Sequence, residues 1–143
     1  MRDWQRSRVY AWENRVIAPR DPSRVAFPSA QGMVDAIWLD MGLRYPPLVE
    51  GLPAQTRTRI GDADRLTLRL SAHTPSWCLL HELAHAMSTT HDGVSDGHGP
   101  IFMGIYVRLL GRYLRLDEAE LLRSLKQACV QISAQTRPVF VRA

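Results

Sequence analysis

The segment His81-Glu82-Leu83-Ala84-His85 joins two imidazoles and a carboxylate at a spacing suited to metal-assisted hydrolysis. On an α-helix His85 stands about 40° around the axis from His81, and Glu82 lies about 100° from the first and 60° from the second. All three therefore project from one side. Two imidazoles a turn apart can meet one zinc ion at ~2 Å, leaving positions for another ligand and a water. A carboxylate beside that water can take its proton and pass it to a leaving amine, which makes Glu82 the candidate general base. Leu79, Leu80, Leu83, Ala86 and Met87 fall between roughly 140° and 260° from His81, so the opposite face is apolar and can anchor the helix.

A third ligand is required, and His91 and His98 are the candidates. A continuous helix would point His91 about 280° from His81, so a break after Met87 would have to redirect it. Metzincins make that break with glycine, where this chain has Ser88. His98 stands between Gly97 and Gly99, which permit close approach, and Pro100 can open a helix that holds it. His98 is the favoured ligand and His91 the alternative. Cys78, one turn before the pair, reads as packing, and His73 as a surface residue.

The run His81 to Met87, HELAHAM, followed after a loop by HGPIF at His98 to Phe102, resembles the SprT-like and Spartan metallopeptidases, which pair HExxH with a later HGxxF. The resemblance covers roughly Ser76 to Leu114. It implies that His81, His85 and His98 bind Zn2+, that Glu82 is the base, and that Phe102 packs the next helix. It also implies a zincin-like fold and a role in cutting proteins attached to DNA. The spacing from Ala84-His85 to His91-Asp92 resembles the WLM peptidases, which keeps His91 open. Many SprT-like proteins append a zinc ribbon, and Cys78 and Cys129 lack its spacing.

The elements around this motif point to one α+β domain over residues 1–143. A compact zincin-like unit is expected, with a small, mostly antiparallel sheet of about three strands packed on the HExxH helix and further helices C-terminal to it. Residues 1–25 and 136–143 are expected at the periphery. Arg8 to Ile17 reads as helix, with strand as the alternative, Pro19 to Pro28 as a connector, and Ser29 as the cap of a helix ending at Gly42. Leu48 and Val49 read as extended. Strands are expected at Thr56 to Ile60 and Arg65 to Leu70 around a turn at Gly61 to Asp64, with Leu66, Leu68 and Leu70 on the buried face. The second strand is either a substrate-binding edge or interior. Helices are expected from Ser76 to Thr89, from Pro100, and after an Asp117 cap, and Val139 to Val141 can dock on the sheet. Tyr106, Arg108 and Tyr113 are candidate transition-state donors.

Composition sets the outer limits. With 143 residues and 45% hydrophobic content the chain can bury one core. Its net charge of +4 is almost wholly arginine, Lys126 being the lone lysine. Arginines at 2, 6, 8, 15, 20 and 24, interleaved with Trp4, Tyr10 and Trp12, could follow phosphates and bases, although a solvated face is the plainer reading. Two unspaced cysteines, a charged N-terminus and no run near the ~18 apolar residues of a membrane span point to a cytoplasmic protein off the membrane. The leading expectation is a zinc endopeptidase acting on polypeptide, with DNA or DNA-bound proteins as further partners. Its alternatives are a non-catalytic zinc-stabilised DNA- or protein-interaction module, and an enzyme whose cleft is covered by loop Thr90 to Gly97 or by the tail.

Overall fold

The computed structural model describes residues 3–53, 61–134 and 136–141. The chain opens with helix α1 (Arg6–Trp12), which runs into a π-helical turn, Glu13–Ile17, and a 3-10 turn, Ala18–Arg20. Val9, Trp12 and Ile17 are fully buried, so this segment belongs to the core and not, as expected, to the periphery. Apolar side chains at steps of three and five residues fit one helical stripe, and the indole Nε1 of Trp12 ties it to Ser124 Oγ at 2.8 Å.

The expected connector holds a short strand, β1 (Arg24–Ala26), and helix α2 (Phe27–Asp40) follows directly. Pro28 occupies the first turn of α2, so the helix starts before Ser29, which does not cap it. Gly42 ends α2 as expected. At φ +76 it takes a left-handed conformation, its N–H reaches Leu39 O, and Leu43 N–H reaches Trp38 O.

Strands β2 (Leu48–Gly51), β3 (Gly61–Ala63) and β4 (Thr67–Leu70) form a sheet in the order β2-β4-β3. β2 runs parallel to β4 and β3 antiparallel to it, so this sheet is mixed. β4 is therefore interior and not an edge. The expected turn at Gly61 to Asp64 is mostly β3; the bend comes later, where Asp64 Oδ1 accepts from Leu66 N and Thr67 N at 2.9 Å each. Leu68 and Leu70 face the core, but Leu66 is exposed and Arg65 is buried, reversing the expected alternation at that end. The strand expected at Thr56 to Ile60 lies outside the described residues. A last strand, β5 (His73–Pro75), pairs antiparallel with β1.

Helix α3 (Ser76–Met87) carries the HExxH segment, and all its residues except His85 are buried. Leu79, Leu80 and Leu83 are fully buried, each worth about 1.5–3 kcal/mol of apolar transfer. α4 (Pro100–Tyr113) packs against α3, and α5 (Glu118–Gln127) follows, with Asp117 accepting from Ala119 N and Glu120 N as the expected cap. The tail docks, but onto helices: Val139 N–H reaches Met87 O, and Phe140 stacks on Trp38 at 5.6 Å. The result is a mixed α+β fold in which α3 is enclosed by sheet, α4 and the N-terminal segment. No helix among the described residues is long and apolar enough to cross a membrane.

Candidate metal centre

One face of α3 and the loop before α4 bring three imidazoles together. His81 Nε2 lies 3.1 Å from His85 Nε2, and His98 Nε2 lies 3.2 Å from each. Helical periodicity sets the first pair. His98 is set by its own loop, where Asp96 accepts from Ile101 N at 2.7 Å and Phe102 N at 3.2 Å, capping α4 and folding the Gly97-His98-Gly99 turn toward α3. Gly97 sits at φ +63, and a Cβ there would lie 2.7 Å from Asp3 Oδ2. Glycine is thus required for both backbone and space.

The far side of each of two rings meets a carboxylate. His81 Nδ1 is 2.5 Å from Glu13 Oε2, which also accepts from Tyr106 Oη at 2.7 Å. His98 Nδ1 is 2.7 Å from Asp3 Oδ2, and His98 N donates to Asp3 Oδ1 at 3.1 Å. A proton on Nδ1 satisfies each carboxylate and leaves the Nε2 lone pair facing inward. His85 is held by stacking on Phe102, 4.3 Å between ring centres. Burial lowers His81 to about 3 and His85 well below its ordinary value, so both rings stay neutral.

Ring nitrogens whose lone pairs face one another repel unless a cation stands between them. Tetrahedral zinc at ~2.0–2.1 Å from each nitrogen requires nitrogens roughly 3.3 Å apart, close to the observed spacing. His81, His85 and His98 can therefore hold a metal ion. The alternative ligand, His91, is exposed and lies near Phe140. Cys78 stands outside this cluster as a free thiol that burial holds protonated, and Cys129 is also free.

Glu82 is buried on the same helix, and its affinity for a proton is raised by burial first and then by the nearby Glu13 and Asp62 carboxylates. β3 presses on it: a Cβ at Gly61 would lie 2.9 Å from Glu82 Cγ and 3.0 Å from Arg69 O. The three candidate donors are engaged elsewhere. Tyr106 serves Glu13, Tyr113 donates to Asp40 at 2.6 Å, and Arg108 pairs with Glu118 at 3.7 Å. The partly exposed phenol beside the cluster is Tyr10, whose ring packs edge-on against His98 at 5.0 Å.

Sequence reasoning missed Asp3 and Glu13 as parts of the site. For Glu13 a signal existed, because it falls in the Val9, Trp12, Ile17 stripe, where a carboxylate must find a partner. Asp3 gave none. In comparisons with known proteins, the chain matches no family model, no curated protein and no solved structure.

Proposed function

We propose that this chain is a zinc metallopeptidase of the SprT-like kind, hydrolysing peptide bonds with water as nucleophile and Glu82 as general base. The observation that carries the reading is the convergence of three imidazole nitrogens within 3.2 Å, two of them on a helix that also carries the buried Glu82 between them in sequence. Three nitrogen donors with room for a fourth position suit catalytic zinc, which when bound supplies Lewis acidity and lowers the pKa of a water toward neutrality.

The chain's own residues do the rest. His81 and His85 on α3 and His98 in the turn before α4 fix the reacting centre. Glu82 accepts a proton from the attacking water and returns it to the leaving nitrogen. β3 stands at one edge of the described sheet beside Glu82, and an extended polypeptide pairing along it would bring a scissile carbonyl to the histidines. DNA-associated proteins are the substrate class we favour. Support comes from the exposed Trp4 and from Tyr10, which lies beside His98, with the Arg8 and Arg6 guanidinium groups over their rings at 6.0 and 5.5 Å.

Those same pairs favour the second reading, a zinc-stabilised DNA- or protein-interaction module without chemistry. The test is elemental analysis of untagged wild type, His91→Ala, His98→Ala and Glu82→Gln, with cleavage of casein and DNA-bound histone assayed alongside. One zinc per chain, lost with His98 but kept with His91, together with cleavage lost in Glu82→Gln, is the expected result. Zinc without cleavage in wild type would support the module, and no metal in wild type would overturn both.

A further inference from the structure

We propose that the N-terminal segment from Asp3 to Ile17 is a clamp on the metal centre, in which Asp3 and Glu13 are positioning residues and ion binding and segment docking strengthen each other. This rests on the reading that His81, His85 and His98 hold an ion.

Two of the three ligands take their Nδ1 partner from this one segment. Asp3, before α1, grips His98 through both carboxylate oxygens, on the ring at 2.7 Å and on the backbone at 3.1 Å. Glu13, after α1, grips His81 from the π-helical turn. Such turns are frequent at functional sites because the wider coil re-aims side chains, and here a glutamate in the apolar stripe faces a ligand. Between them, Gln5 is almost fully buried. Its Nε2 donates to His98 O at 3.0 Å and to Gln131 O at 3.1 Å, while its Oε1 accepts from Gln131 N at 2.6 Å. Tyr10 closes over the His98 ring. The contacts span 95 residues for Asp3 and 68 for Glu13, so none forms unless the segment docks.

An imidazole offers Nε2 to a cation only when the proton sits on Nδ1 and the ring is aimed correctly. A carboxylate on Nδ1–H enforces both and makes the other nitrogen more basic. If docking raises ion affinity by some factor, ion binding favours docking by the same factor. His85, held by Phe102 and not by the segment, is the internal control.

The test uses the full untagged chain. Zinc affinity is measured by chelator competition for wild type, Asp3→Asn and Glu13→Gln, with imidazole nitrogen NMR to locate ring protons and hydrogen exchange to follow the segment with and without zinc. Each substitution is expected to weaken zinc binding by about 10- to 100-fold. The ring-proton pattern should change at His98 in Asp3→Asn and at His81 in Glu13→Gln, with His85 unmoved. In wild type, zinc should slow exchange at the amides of α1 and the π-helical turn. Should Glu13→Gln fail to fold, Asp3→Asn, at a partly exposed carboxylate, decides the matter on its own. Wild-type affinity in Asp3→Asn, or segment exchange indifferent to zinc, would overturn the clamp while leaving the metal centre standing. A wild type that takes up no ion would overturn both.

Discussion

Glu13 Oε2 lies 2.5 Å from His81 Nδ1, and the same oxygen accepts the Tyr106 hydroxyl. The glutamate is buried and the ring it meets belongs to α3, so a residue of the first turns and a residue of α4 both act on His81. Burial raises Glu13 to about 8, countered in part by the Tyr106 hydrogen bond. Its place is thus costly in the absence of a compensating charge.

On the peptidase reading, Glu82 and the histidines have separable roles. Glu82→Gln keeps the volume of the side chain and leaves all three imidazole nitrogens in place, so zinc content should stay at the wild-type level while turnover falls by about 10²–10⁴-fold. His98→Ala should instead lose the ion. Metal analysis beside single-turnover cleavage reads both, and a cleaving Glu82→Gln variant would remove the glutamate from the mechanism.

Gly61 offers a test of positioning at a distance from the ligands. A methyl group there would meet Glu82 Cγ at 2.9 Å, Glu82 Oε2 at 3.0 Å and the Arg69 carbonyl at 3.0 Å, and the last is backbone that cannot swing away. Gly61→Ala should therefore displace Glu82 or β3, and a shift near 1 Å is worth about 10²-fold in rate. The expected signature is lower kcat with undiminished zinc binding. Unchanged kcat would mean that Glu82 has more freedom than its packing implies.

Much of the site was legible because it is local. The i, i+4 spacing fixes His81 against His85 whatever the rest of the chain does, and the glycines and proline around His98 specify its turn. The carboxylates behind the rings depend on docking across most of the chain, which no local period encodes. Arg65 and Leu66 show the other limit. Alternation put the leucine inside, but the Asp64 turn delays the strand to Thr67, leaving Leu66 outside and sending the arginine onto two aromatic rings.

Asp40 joins α2 to α4, accepting from Tyr113 Oη at 2.6 Å and Arg112 Nε at 3.1 Å. Its pKa is held below the ordinary 3.8, first by the Tyr113 hydrogen bond and then by Arg112. A carboxylate with a lowered folded-state pKa contributes stability that is present above 3.8 and lost as pH falls through the folded value. Asp40→Asn should therefore lower Tm near neutral pH, and the gap to wild type should close in acid. Salt should shrink the gap too, since the cluster is partly exposed. A gap constant with pH would exclude this charge as its source.

The tail tests whether the fold restrains itself or merely holds itself together. Phe140 stacks on Trp38 at 5.6 Å, and the buried Arg65 guanidinium lies 4.4 Å from the Phe140 ring and 4.8 Å from the Trp38 ring. Arg65 Nη1 donates to Tyr45 O at 3.2 Å, while Arg65 Nε has no hydrogen-bond partner among the described residues, so the two rings supply much of the guanidinium's environment. Val139 bonds to Met87 at the C-terminal end of α3, away from the Nε2 cluster. A tail covering the cleft would release activity when removed; a tail capping this aromatic and guanidinium stack should only destabilise. Phe140→Ala is accordingly expected to cost about 2 kcal/mol, less than a fully buried phenylalanine because the ring is partly exposed, and to leave zinc affinity and kcat near wild type. Denaturant unfolding and cleavage assays on the same preparations check this, and a gain in activity would establish the tail as a cover after all.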